Sequence, residues 1–457
     1  MATTLSSSGR SIDPSHFRLI SAELYNHSGD FRIINDLITN ITIRESLFLP
    51  SIIVEVTISD VINFFESFAL IGQEILVLEF EKHPIGSELP MSRKVEVIIT
   101  EYSEYAKSTT NANQQAYTLK GISPYAYNSK FQKISRAYSG AATENIERIL
   151  TDDLDYSQLA IRGIDSTSHR GIINIQEPLK AIEYFRKIAR DESGAPFYFF
   201  QSIDSVVRIY SLSYLMDKDL NPVYNDYLYL KGYVAVPGSV EDYKERASRI
   251  LEVSSKLGLS KIMQGAQGAY ASDNNFLDIA NKVYRNKTFD YNGQSGQRVK
   301  NNKLADGNSV LLSSSFQIGK DYSRSLNTLP NAHKEFISTN SLAFGSTLTN
   351  YNQELQEGIQ TLNAFNAKLN TMTHNIELNG DFSLNAGRKI RLLFPKSMEA
   401  NSYKGFNSED YETRHIDTLL SGEYLVTSVM HKFEFGEQED KHMCSLEVKK
   451  DSVFSEI

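Results

Sequence analysis

The side chains able to do chemistry are scattered. Nine histidines (His16, His27, His83, His169, His333, His374, His415, His431 and His442) never form a His-Glu-x-x-His pair, so no zinc-hydrolase helix is announced. His431 and His442 fall in adjacent expected strands. They read as ordinary strand residues, with a shared metal site as the alternative, and the one cysteine, Cys444, reads as a small core hydrophobe in an alternating strand. Gly319-Lys320 lacks both the earlier glycine and the following hydroxyl residue of a phosphate-binding loop, which disfavours nucleotide hydrolysis. No Gly-x-Ser-x-Gly elbow occurs, and Asp152, Asp153 and Asp155 lack the regular spacing and glycine of a calcium loop. A glycosidase pair of carboxylates leaves no local signature, so the sequence neither locates nor excludes one. The expectation is a protein with no catalytic residues, no metal and no cofactor.

The composition narrows the class further. The 457 residues carry 47 Lys+Arg against 56 Asp+Glu, a formal charge of −9, so a basic field that binds nucleic acid through its whole surface is not expected. A single cysteine rules out a disulfide framework and fits a reducing compartment. The N-terminal residues show no charged segment leading into an apolar run, and no 18 apolar residues run together, so neither a signal peptide nor a membrane anchor is expected. At roughly 100–200 residues per domain, the length suggests two to four domains.

The elements that would position any site follow from periodicity. Val54, Val56 and Ile58, then Leu76, Leu78 and Phe80, then Val95, Val97 and Ile99 alternate with neighbours of the opposite face, the two-residue period of half-buried antiparallel strands. After Ser139-Gly140 the period becomes helical through Ala142, Ile146, Ile149 and Leu150, with Thr143 the expected cap. A second helix opens at Pro178, carries Ile182, Phe185, Ile188 and Ala189 on one face, and is expected to stop at Ser193-Gly194. Strands return at 197–200 and 206–212. Helical stretches are expected at 241–257 and 273–285, before a region rich in Asn, Ser and Gly. Within 282–303, Lys282, Arg285, Lys287, Arg298, Lys300 and Lys303 face Asp290 alone, which reads as a solvated loop, with a docking surface for an acidic partner as the alternative. Leu355, Ile359, Leu362, Leu369 and Met372 form a heptad-like stripe of a helix packed on its own domain. Strands close the chain around Asn379-Gly380, at 390–394, 424–429 and 446–448, with a polar loop at 396–421. The stretches Gly72–Leu78 and Gly387–Leu393 share Gly, Ile and Leu at equal offsets, as two copies of one small barrel would.

One set of motifs goes beyond periodicity: Asn40–Phe48 with its Glu45-Ser46 pair, the strand Ile52–Asp60 ending in Asp, and Ile71-Gly72-Gln73-Glu74 leading into the next strand. Tyr117–Ser123, Ile134–Tyr138, Pro178, Phe197–Phe200 and Ser421–His431 continue the pattern. Together they resemble the baseplate hub proteins of contractile-tailed bacteriophages of the T-even type, over roughly 35–240 and 375–450.

The resemblance implies a mainly β chain with α+β insertions. Two tail-tube-like antiparallel β-barrels are expected, barrel I at 1–120 and barrel II at 206–240 with 375–457. An inserted α+β module occupies 121–205, and a helical and loop-rich insertion 241–374. It implies a homotrimer whose six barrels join a sixfold tail tube to a threefold central spike. Wedge proteins and tape-measure protein are further partners, and DNA passes through the channel without sequence-specific binding. The chain would then be assembled in the host cytoplasm and reside in the virion tail. Glu45, Ser46, Gly72 and Glu74 map onto family positions expected to be structural. Gly72 would serve a turn or a close backbone approach, and Glu74 would be an outward strand charge. The other readings of the same sequence are a carbohydrate-binding or carbohydrate-cleaving virion protein, suggested by the Tyr- and Phe-rich strands, and a sixfold tail-tube terminator.

Overall fold

The computed structural model describes residues 13–290, 334–339 and 362–450, apart from positions 69, 83–89, 108–113, 166–168, 193–194, 230–239, 258–267, 269–270, 280–281, 365, 368, 371, 397–415, 418–419 and 437–438. The first seven strands are β1 (Arg18–Tyr25), β2 (Phe31–Ile33), β3 (Ile38–Ser46), β4 (Ile53–Asp60), β5 (Ile75–Lys82), β6 (Met91–Lys107) and β7 (Gln115–Ile122). They pair antiparallel in the order β3-β4-β7-β6-β5-β1-β2. Their alternation turns Val54, Val56, Ile58, Leu76, Leu78, Phe80, Val95, Val97 and Ile99 into one core, as the two-residue period requires. Between β4 and β5 the short helix α1 (Phe64–Ser67) is held by Asp60, whose carboxylate accepts from the backbone N–H groups of Phe64 at 2.8 Å and Phe65 at 3.0 Å.

The middle of the chain folds as a mixed module. It contains α2 (Pro124–Phe131), β8 (Ile134–Gly140), α3 (Ala142–Arg148), β9 (Leu159–Arg162), β10 (His169–Gln176), α4 (Pro178–Ile188), β11 (Phe197–Gln201) and β12 (Val207–Ser211). Pro178 occupies the first turn of α4, and Ala181, Ile182, Phe185 and Ile188 are buried on one face. The helix stops at Ile188, earlier than Ser193-Gly194, because Ala189 is already extended and Arg190 bridges back to Pro196. Thr143 lies inside the first turn of α3 and does not cap it; its N–H is met instead by Asp165 at 2.9 Å. Strand β12 pairs antiparallel with β11 and parallel with β9, so the module's sheet runs through Ser211.

Helix α5 (Leu212–Met216) leads into β13 (Val223–Leu228), α6 (Val240–Ala247), β14 (Ile250–Leu257), β15 (Ala271–Asp278), β16 (Val283–Asp290), β17 (Lys334–Thr339), β18 (Met372–Asn379), β19 (Lys389–Leu393), β20 (Gly422–Glu434) and β21 (Lys441–Lys450). Two expected helices are therefore corrected: only 240–247 is helical in the first, and 273–285 is a β hairpin. In β15 the inward positions include Ser272, Asn274 and Asp278, so its buried face carries no hydrophobic period to read. The order β14-β18-β21-β20-β3 joins the C-terminal strands to the N-terminal ones in a sheet of 13 strands, while β15, β16 and β17 form a separate sheet of three. Among the described residues the large sheet is not a closed ladder. It does curl, since His16, ahead of β1, bridges Lys441 at the start of β21, and His442 N–H donates to the Ser15 carbonyl at 2.7 Å. No described helix is long and apolar enough to cross a membrane.

Candidate functional site

Strand β3 ends at the junction of the large sheet and the mixed module. Its inward positions Ile41, Ile43 and Glu45 share one parity, so the pleat carries Glu45 into the core with the two isoleucines. The carboxylate is fully buried, and each oxygen takes a backbone donor from a different part of the chain: Oε2 from Ile203 N–H at 2.7 Å and Oε1 from Ala386 N–H at 2.6 Å. Ser46 Oγ donates to the Thr427 carbonyl at 3.1 Å and accepts from Phe48 N–H at 3.3 Å. One Glu-Ser pair thus ties β3, the module, the turn before β19 and the start of β20 together. Desolvation pushes the Glu45 carboxyl up to about 8, opposed by the two backbone donors. Nearby, Arg208 and Asp204 form an ion pair at 2.5 Å.

Gly72 has φ +92° and nothing within 4 Å of where a Cβ would stand, so it serves the turn and no close backbone approach. Glu74 is a correction: it is 1% exposed, not an outward charge. It shares parity with Leu76, Leu78 and Phe80, and Oε1 closes the turn by accepting from Ile71 N–H at 2.7 Å and Gly72 N–H at 3.2 Å. Tyr102 donates its hydroxyl to the other Glu74 oxygen, and burial together with that bond holds the phenol above its usual range.

The two glycines that the sequence repeat aligns share a left-handed backbone conformation. Gly387 has φ +87°, and two residues later Lys389 is as buried as Glu74, with Nζ 3.6 Å from Glu423 and donating to the Met216 carbonyl at 3.5 Å. The same glycine turn is followed by a buried charge of opposite sign in each half.

Residues expected to be ordinary strand positions are brought together on β20 and β21. His431, His442 and Cys444 are fully buried, with ligand atoms all within 4.8 Å of one another. Sequence spacing gave two of them as neighbours; the third followed only from the register that sets His431 opposite Cys444. Of the acids near the end of α3, Asp153 pairs with Arg136. Of the basic run, Lys282 and Arg285 are exposed at the β15–β16 hairpin, while Arg298, Lys300 and Lys303 lie outside the described residues. Of the heptad-like stripe, Leu369 packs with Leu47, Phe200 and Leu425, Met372 opens strand β18 instead of continuing a helix, and Leu355 and Ile359 lie outside the described residues, as does most of the 396–421 loop.

Compared by sequence, the chain matches no protein-family profile and no curated protein. Compared by structure, it is similar to a tail protein of Neisseria meningitidis MC58 (TM-score 0.52, 8% identity, covering 96% of this chain and 98% of that one). It is also similar to the 43 kDa tail protein of prophage MuSo2 from Shewanella oneidensis (TM-score 0.50, 8% identity, covering 95% and 99%). At this identity the likeness is one of fold, and it extends over nearly the whole of each chain.

Proposed function

We propose that this chain is a structural protein of a contractile phage-type tail, the hub of its baseplate. The observation that carries the reading is the end-to-end likeness of fold to two tail proteins, with 98% and 99% of their lengths covered. The sequence motifs of the hub family supply the finer part. Three chains form a ring, and each contributes two related units of its large sheet, one around β1–β7 and one around β18–β21. Six similar units then face the tail tube on one side and a threefold spike on the other.

The twin turns at Gly72 and Gly387 support two related units, as does the Glu45 junction that fixes one against the other. No catalysis is involved. The channel passes DNA without holding it, in keeping with the acidic balance of the chain. Wedge and tape-measure proteins are the remaining partners, and the virion tail is the location.

The test is sedimentation of the purified chain alone and with a tail-tube protein and a central spike protein. A trimer that co-sediments with both supports the hub. A hexamer that binds only tube protein points to the terminator reading, and a monomer that binds neither overturns the proposal.

A further inference from the structure

His431, His442 and Cys444 leave one face of the β20–β21 ribbon, because His431 stands opposite Cys444 in register and His442 precedes Cys444 by two residues. Nδ1 of His431 and Nε2 of His442 are 3.1 Å apart, and Cys444 Sγ lies 3.2 and 3.7 Å from them. Around a tetrahedral zinc ion, with Zn–N about 2.0–2.1 Å and Zn–S about 2.3 Å, neighbouring donors stand roughly 3.3 Å (N to N) and 3.5 Å (N to S) apart. The observed triangle has those proportions.

Packing alone does not explain these residue types. The outward nitrogens, Nε2 of His431 and Nδ1 of His442, are buried with no hydrogen-bond partner among the described residues. The inward nitrogens and the thiol meet one another at 3.1 and 3.2 Å, so three polar side chains converge on one point of a core that elsewhere uses Phe and Val. The surroundings are dry: Phe433 stacks on His442 at 4.3 Å, with Phe382 at 5.1 Å and Phe17 at 6.2 Å. Gly380 makes room, since a Cβ there would lie 2.1 Å from the His442 ring. The Asp381 carbonyl lies 3.9 Å from the Cys444 sulfur.

We propose that His431, His442 and Cys444 form a structural site for a zinc ion, stapling β20 and β21 at the seam of the large sheet. Binding replaces the thiol proton: Cys–SH and Zn²⁺ give Cys–S–Zn⁺ and a proton released to solvent. Because all three ligands are buried, the metal enters during folding, and the site owes nothing to the hub reading.

The experiment is elemental analysis of the full chain purified without chelator, repeated on chain produced in cobalt-supplemented medium. The expected result is close to one zinc per chain, and in the cobalt form a thiolate-to-cobalt charge-transfer absorption. Cys444→Ala and His431→Gln should each lower the metal content more than about tenfold at unchanged circular dichroism. Metal well below one equivalent in the unaltered chain, or content undiminished in both variants, overturns the site. If neither variant folds, the cobalt absorption of the unaltered chain decides: its presence supports thiolate ligation by the only cysteine, and its absence overturns it.

Discussion

Glu45 offers the sharpest test of how the halves are joined. Glu45→Ala removes the acceptor of two buried N–H groups, Ile203 at 2.7 Å and Ala386 at 2.6 Å. At about 1–3 kcal/mol for each stranded donor, the expected loss is roughly 2–6 kcal/mol before any cavity is counted. Glu45→Gln keeps the volume but replaces one acceptor oxygen with an NH₂ group, so one of the two backbone N–H bonds is lost.

The two variants separate by pH. The folded carboxyl is raised from 4.5 to about 8, so between those values the folded chain holds a proton that the unfolded chain releases. Stability therefore falls as pH rises through that window, by on the order of 4–5 kcal/mol across the whole of it. The Gln variant cannot titrate and lacks this slope. Urea unfolding followed by tyrosine fluorescence, at steps between about pH 5 and 8, should show the unaltered chain converging on the Gln variant as pH rises. Amide exchange at Ile203 and Ala386 should accelerate in the Ala variant. Parallel pH profiles for the unaltered and Gln chains, with unaltered exchange at both amides in the Ala variant, would refute the junction.

Two further substitutions probe the paired turns. Gly72→Ala meets only backbone strain, since φ is +92° and no atom lies within 4 Å of the new Cβ, and should cost about 1–2 kcal/mol. Gly387→Ala adds contacts at 3.1 Å with Leu215 and 3.2 Å with Phe200, so its thermal unfolding should drop further; equal drops would show that sterics at this turn are irrelevant. Tyr102→Phe removes the hydroxyl that serves Glu74, with an expected loss of about 1.5–3 kcal/mol in denaturant unfolding, and a loss below about 0.5 kcal/mol would mean that Glu74 is satisfied by Ile71 and Gly72 alone.

The strands of the first half were legible because apolar residues alternate there without interruption, and α4 because Pro178 and a helical apolar face coincide. Parity would also have placed Glu74 inside, on the face of Leu76 and Leu78; treating it as a charge first and a strand position second put it outside. Strands β15 and β16 were not legible, because Ser272, Asn274 and Asp278 occupy the buried face and polar residues carry no hydrophobic period. Helix ends failed where a distant partner meets the terminal groups, as when Asp165 accepts from the N–H of Thr143 in the first turn of α3.

The sequence by itself determined the β class, the repeated glycine turn and the absence of any local catalytic signature, since each rests on spacing within a few residues. Only the tertiary structure decided that Glu45 joins residues 158 and 341 positions away, and that His431 meets His442 and Cys444. Strand pairing sets those contacts. Register is a property of two segments together, and neither segment's sequence contains it alone.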